Sequence, residues 1–268
     1  MEMRDFQEMV WQYYHQYGRA LPWRLPESDG TFDPYKILVS EIMLQQTQAA
    51  RVVPKYTAFL QQFPSAQALA ATPLAKVLVA WSGLGYNRRA KYLHEAAQQL
   101  AQASHSWTIQ DMVACKGVGY NTAAAVAAYA YNQQVVFIET NIRTVFIHHF
   151  FADRDAIDDK EILPLVEQAL DGEHPREWYW ALMDYGVHLK TTVGNASRSS
   201  KHYARQSTFE GSKRQVRGRV LKALHAQRYS RKELADLVED DRLTAVLTDL
   251  IKEKLISETK DGISLGVD

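Results

Sequence analysis

The sequence predicts an all-α protein that ends in a smaller module of helices and a hairpin. Three observations carry this. Apolar residues recur at helical spacing from Phe6 to about Leu189, with Gly and Pro punctuating the runs. The only strand-like run in that stretch, Val135 to Ile138, is short and leads straight into another helical pattern, which argues against a parallel sheet. The C-terminal region then changes to three short helical patterns followed by two apolar segments about a turn.

In order along the chain, Gly18, Pro22, Pro34, Pro64, Pro73, Gly83, Gly85, Gly117 and Gly119 divide the first part into about eight to ten helices. One helix begins at Asp33-Pro34, with proline in its first turn. Cys115-Lys116-Gly117-Val118-Gly119 separates a helix ending near Ala114 from an Ala-rich helix, Tyr120 to Tyr131. From Thr191 to Ser212 the composition is polar and basic, the signature of a linker or extended arm. Helices over Arg214 to Ala226, Arg231 to Val238 and Asp241 to Lys254 precede a hairpin that turns at Asp261-Gly262. Three helices plus a hairpin look like a winged helix, a module that binds DNA or proteins, and the sequence leaves that choice open. The expected domains are 1–194, a basic linker 195–213 and the winged-helix-like 214–268.

At 268 residues with 46% hydrophobic composition, the chain can bury a substantial core. Its single cysteine, Cys115, cannot form an internal disulfide, and no secretory signal or membrane span is visible, so a reducing cytoplasmic home is expected. Lys plus Arg equals Asp plus Glu at 31 each, so net charge is uninformative, but its distribution is not. Asn195 to Lys232 holds eleven basic residues against one acid, Glu210, a local excess of ten. Such a run is either a polyanion footprint or a solvated basic helix face.

Gly117 and Gly119 allow a tight turn and close approach, and the helix that follows offers unpaired amides to an anion. Alone, this is more often an ordinary interhelical turn than a phosphate grip. However, the string KGVGYNTAAAVAAYA is followed by Glu139-Thr140-Asn141-Ile142-Arg143. It is preceded by Leu21-Pro22-Trp23-Arg24, Asp33-Pro34-Tyr35, Ser40 to Gln48 and Gly83-Leu84-Gly85-Tyr86. These motifs, in this order over roughly residues 20–190, resemble the helix-hairpin-helix DNA glycosylases, and specifically those that act on adenine mismatches.

The resemblance implies two helical subdomains with a cleft, and DNA as partner. It implies Glu41, Glu139 and Asn141 as catalytic, with Asn141 helping to position the nucleophilic water. Trp23, Arg24 and Asn121 fall at the base pocket. Gln45, Gln46 and Tyr86 fall where the family enters the duplex to fill the place of an extruded base. Lys116, Gly117, Val118 and Gly119 would hold DNA phosphate.

The residues themselves add a chemical reason. On a helical wheel Glu41 falls among Ile37, Leu38 and Leu44, and desolvation there would keep it protonated, ready to donate to a departing base. The alternative is a buried glutamate paired with an arginine. Glu139, ahead of a helical pattern, meets helix amides that favour its ionised form; it is either a stabiliser of an oxocarbenium-like sugar or a plain helix cap.

Departures from the family pattern refine the expectation. The family's usual aspartate is replaced by Glu139. Asn121 stands where strand-cleaving members carry a Schiff-base lysine, which implies a monofunctional enzyme leaving an intact abasic site. Lys116 replaces a proline. The four cysteines that would follow Met183 to Leu189 are missing, so no iron–sulfur cluster is expected, and no metal or other cofactor. His148 and His149 are adjacent and diverge on a helix, which argues against a metal pair.

The leading expectation is excision of adenine opposite guanine or 8-oxoguanine in base excision repair. Alternatives are removal of thymine or uracil from mismatches, and non-catalytic binding of damaged or distorted DNA. The partner is mismatched or damaged double-stranded DNA, with no membrane association, and the protein is expected to be a nucleoid-associated monomer.

Overall fold

The computed structural model describes residues 1–205 and 208–266. The part of the basic arm at 206–207 lies outside the described residues. Among the described residues there are fourteen α-helices and one two-stranded antiparallel sheet. Eleven of these helices precede residue 195, more than the spacing of Gly and Pro suggests, because the short helices Ala66–Ala70 and Ile109–Ala114 form as separate pieces. No helix among the described residues is long and apolar enough to cross a membrane.

The chain folds into two compact units. The first comprises Met1–Glu41, Thr108–Val113 and Gly119–Arg205. Its framework is α1 (Met3–Tyr17), α8 (Tyr120–Tyr131), α9 (Thr140–Phe150), α10 (Asp159–Ala169) and α11 (Pro175–Thr192). Phe6 and Val10 of α1 are buried, and the Phe6 ring meets Phe146 of α9 at 5.2 Å and Trp178 of α11 at 6.2 Å between centroids. Ala123 to Ala130 of α8 are buried almost throughout, because small side chains let neighbouring helices approach closely. Gly186 of α11 serves the same end: a Cβ there would sit 2.5 Å from the Asn141 carbonyl oxygen of α9.

Val135 to Ile138 forms no strand. It runs extended, and side chains take the place of a neighbouring strand: Tyr179 Oη donates to the Val135 carbonyl at 2.7 Å and Asn121 Nδ2 to that of Ile138 at 2.7 Å. Part of the expected linker is also built in. Asn195 caps a 3-10 turn, Ala196–Ser199, Ser197 and Ser200 are buried, and Ser200 bridges Ile157 in parallel.

The second unit comprises Ile42–Trp107, Ala114–Val118 and Gln206–Asp268. It contains α3 (Ala49–Gln62), α4 (Ala66–Ala70), α5 (Leu74–Ala80) and α6 (Arg88–Leu100). Its C-terminal part holds α12 (Lys213–Leu224), α13 (Arg231–Val238), α14 (Leu243–Lys252), β1 (Ile256–Thr259) and β2 (Gly262–Leu265). Capping boxes at Asp158 and Ser230 start α10 and α13, as the sequence signature S/D-x-x-E dictates. The hairpin pairs Ile256 with Leu265 and Thr259 with Gly262, and Tyr229 adds an antiparallel bridge to Ile263. Helices and hairpin thus form the small winged-helix-like module expected from the sequence, with Val216, Val220, Leu234, Val246, Leu250 and Ile263 in its core.

Candidate active site

Helix α2 (Pro34–Leu44) starts where the proline in its first turn directs, and Asp33 accepts from the Tyr35 N–H at 2.8 Å. Ile37, Leu38, Val39, Ser40, Ile42 and Met43 are all buried, so α2 is enclosed on more sides than an apolar stripe would require. Glu41 lies within this run. Its side chain keeps partial solvent access, and no hydrogen bond to its carboxyl is formed among the described residues. Burial, reinforced by the charge of Glu139 and opposed by Arg24, pushes the Glu41 carboxyl from its ordinary 4.5 up to about 8. A carboxylic acid at that value is a proton donor at neutral pH.

Glu139 has extended backbone and occupies the N-cap of α9, where its Oε1 accepts from the Asn141 and Ile142 amides. These donors and the helix dipole stabilise negative charge. The second oxygen, Oε2, has no hydrogen-bond partner among the described residues. Asn121, the second residue of α8, fixes the Ile138 carbonyl immediately before Glu139.

Asn141 is held by two contacts. Lys190 Nζ of α11 donates to its Oδ1 at 2.7 Å, and its Nδ2 faces Met183 Sδ at 3.7 Å. A lysine ammonium only donates, so it forces the amide oxygen toward itself and the NH2 group the other way. Burial lowers the Lys190 amine, the Glu139 charge raises it and Arg143 lowers it again, with a net downward shift. Lys190 escaped the sequence reading. It follows Leu189, where the family pattern would place cysteine, and a lone lysine at the end of a helix carries no motif. The donor set of an iron–sulfur cluster does not fit this chain, whose only cysteine, Cys115, is buried.

Arg24 leaves the 3-10 turn Pro22–Arg24 to form a bidentate pair with Asp184, with bonds of 2.8 and 2.7 Å, and Arg19 donates to the same carboxylate at 2.7 Å. Burial opposes the Asp184 charge, yet the two arginines outweigh it and hold the carboxyl below its ordinary value. The Arg24 guanidinium also lies 5.4 Å from the Trp180 ring centroid, and Trp23 beside it is buried. Asp184 was missed as well. Its signal is an acid in the middle of an apolar helix, beside the small Gly186.

In the second unit, Gln45 and Gln46 follow the end of α2, and Gln46 takes a left-handed φ of 56°. Tyr86, after Gly83 and Gly85, takes φ 45°. Non-glycine residues in this region are strained and need support from their surroundings. Arg89 supplies it. Its Nη1 donates to the carbonyls of Ile42 at 3.0 Å, Met43 at 2.9 Å and Gln45, and its Nη2 to Thr47 Oγ1 and the Leu84 carbonyl at 3.1 Å each and the Gly85 carbonyl at 3.3 Å. Its carbon also sits 5.4 Å from the Tyr86 ring centroid. Burial pulls its pKa down to about 10. One buried guanidinium therefore ties the Gln45-Gln46 turn to the Tyr86 turn. The sequence hint is a charged residue on the same face of α6 as Leu93, Ala96 and Leu100, all buried.

In the Cys115–Gly119 turn, Lys116 lies 5.3 Å from the Tyr92 ring centroid, and Gly117 has φ 85° with a Cβ position only 2.4 Å from that ring. The Val118 side chain is buried, leaving only its backbone for an anion, and Gly119 is the N-cap of α8. The basic run is less bare than its sequence suggests. Among the described residues, six of its eleven cations face carboxylates distant in sequence: Lys201 with Asp158, Lys213 with Asp249, Arg217 with Glu253, Arg219 with Asp240, Arg228 with Asp261 and Arg231 with Glu258.

Residues 39–170 match the HhH-GPD superfamily of base excision DNA repair proteins. The adenine DNA glycosylase of Mycobacterium tuberculosis is 35% identical over 93% of this chain and 90% of its own length. The human adenine DNA glycosylase is 32% identical over 71% of this chain and 37% of its own. Among solved structures, a thermostable thymine-DNA glycosylase superposes with a TM-score of 0.58 at 23% identity, over 69% of this chain and 85% of that one, a likeness of fold. On these matches, the chain belongs to the helix-hairpin-helix superfamily of base excision DNA repair glycosylases, in its adenine DNA glycosylase family.

Proposed function

We propose that this protein hydrolyses the N-glycosidic bond of adenine mispaired with guanine or 8-oxoguanine and leaves an intact abasic site. The observation that carries the reading is the pair Glu41 and Glu139, whose charges interact while one carboxyl is driven toward its neutral form and the other is held by helix amides. Glu41 donates its proton to the departing base. As the bond breaks, positive charge develops on the sugar, and the Glu139 carboxylate stabilises it through the oxygen not engaged by amides. Asn141, oriented by Lys190, positions the water that completes hydrolysis.

Gln45, Gln46 and Tyr86 take the place of the extruded adenine in the stack, and the amides about Gly117 and Gly119 hold backbone phosphate. The names of the relatives support adenine as the target. Asn121 is occupied in holding the Ile138 carbonyl and has no amine, which favours simple hydrolysis over strand cleavage.

The test is a panel of duplexes carrying A:G, A:8-oxoguanine, T:G and U:G, treated with alkali after incubation to reveal abasic sites. Cleavage confined to the adenine strands, and only after alkali, is expected. Cleavage of T:G or U:G instead, or strand scission without alkali, would overturn the substrate or the monofunctional assignment respectively.

A further inference from the structure

We infer that the C-terminal module is a working part of the duplex-probing turn, in which Arg214 of α12, together with Arg89, fixes the Tyr86 ring. This rests on the reading of Tyr86 as the residue that enters the duplex. Two guanidiniums lie close to the Tyr86 ring, Arg89 at 5.4 Å and Arg214 at 5.3 Å from its centroid, and the Tyr86 hydroxyl accepts a hydrogen bond from Arg214 Nη1. The module is anchored beside this turn. Glu253, just past α14, accepts from Arg88 and, at 2.5 Å, from Arg217, while its carbonyl takes Lys91 Nζ at 2.8 Å. Arg88 and Lys91 belong to the first turn of α6, directly after Tyr86. On the hairpin side, a Cβ at Gly266 would lie 3.3 Å from Ala75 of α5.

An arginine serving only as a phosphate contact would project from the surface, whereas Arg214 is half-buried and turned onto a protein ring and hydroxyl. A ring that must slip between stacked bases loses side-chain freedom on binding, and holding it beforehand removes that cost from recognition. The strained φ of Tyr86 calls for the same external support. Arg214 is thus a positioning residue, and the chemical target of the assembled turn is the π-face of a base beside a gap in the stack.

The test compares full-length wild type with Arg214→Met, Arg214→Lys and Tyr86→Phe. Binding is measured by fluorescence anisotropy to a duplex carrying a tetrahydrofuran abasic site opposite guanine and to the fully paired duplex, over a range of salt. The expected result is that Arg214→Met lowers the ratio of the two affinities on the order of tenfold while paired-duplex affinity and salt slope stay as in wild type. Lysine does not restore the ratio, and Tyr86→Phe reproduces the loss without adding to it in the double variant. A uniform loss on both duplexes with the salt slope reduced by about one and rescue by lysine would assign a phosphate contact and overturn the inference, as would an unchanged ratio. If Arg214→Met does not fold, an unchanged ratio in Tyr86→Phe overturns it equally. The probe carries no mispaired adenine, so failure of wild type to excise adenine would sink the substrate assignment and leave this inference standing.

Discussion

Replacing Glu41 by glutamine should abolish excision and at the same time stabilise the protein at neutral pH. The folded state holds the Glu41 proton up to about pH 8, while the unfolded chain releases it near 4.5. Between those values the folded state binds more protons than the unfolded one. Stability is therefore highest below the lower value, falls as pH rises toward the upper one, and changes no further above it. Each pH unit of that window is worth about 1.4 kcal/mol, which sets a ceiling of about 3 kcal/mol at pH 7. Residual solvent access and glutamine's own need for hydrogen bonds reduce the expected gain to about 1–2 kcal/mol. Urea denaturation of wild type and Glu41→Gln at half-unit intervals from pH 5 to 8 measures the effect. The difference between them should widen steadily with pH in favour of the variant. Parallel pH profiles, or a variant that is less stable throughout, would refute the placement of a neutral Glu41 in a desolvating site.

Three further outcomes follow from the geometry. Lys190→Met frees the Asn141 amide to rotate, so kcat should fall about tenfold with KM unchanged, and Lys190→Arg should restore part of it; single-substrate kinetics on an adenine mismatch check this. Arg89→Lys leaves several carbonyls of two turns without a donor and should cost about 2–4 kcal/mol, read by denaturation, together with loss of mismatch discrimination. Gly186→Ala drives a methyl group toward the Asn141 backbone, 2.5 Å away at the unrelaxed position, and should cost about 2 kcal/mol or more. Its residual activity should fall further than that of a control with equal stability loss placed in the C-terminal module.

Much of this arrangement could be read from the chain, for reasons that differ by element. The helix carrying Glu41 was legible because Asp33-Pro34 starts it and the apolar spacing encloses the acid. The cap geometry of Glu139 was legible because an acid after an extended apolar run and before a helical pattern has only helix amides to meet. Val135 to Ile138 misled in part: β-branched residues mark extended backbone, but whether that backbone finds a strand or the side chains of Asn121 and Tyr179 is decided by tertiary packing.

Residues that act through long-range pairing were hidden. Arg24 was singled out, but its partner Asp184 lies 160 positions away. Arg89 reads as one more cation on an amphipathic helix until the six acceptors around it are seen. The basic run overstated its free charge for the same reason, since the acids that face Arg217, Arg219 and Arg231 lie downstream of the run and meet it only after folding.

The most direct test of the acid pair is the pH dependence of single-turnover excision from an A:G duplex, measured for wild type and for Glu139→Gln. Wild type should hold its rate through neutrality and lose about tenfold per pH unit above about 8, as Glu41 gives up its proton, while Glu139→Gln should be slower by a factor on the order of a hundred or more at every pH. A wild-type rate that stays level or climbs above pH 8, or a Glu139→Gln variant as fast as the parent, would contradict the assignment of one carboxyl as donor and the other as stabilising anion.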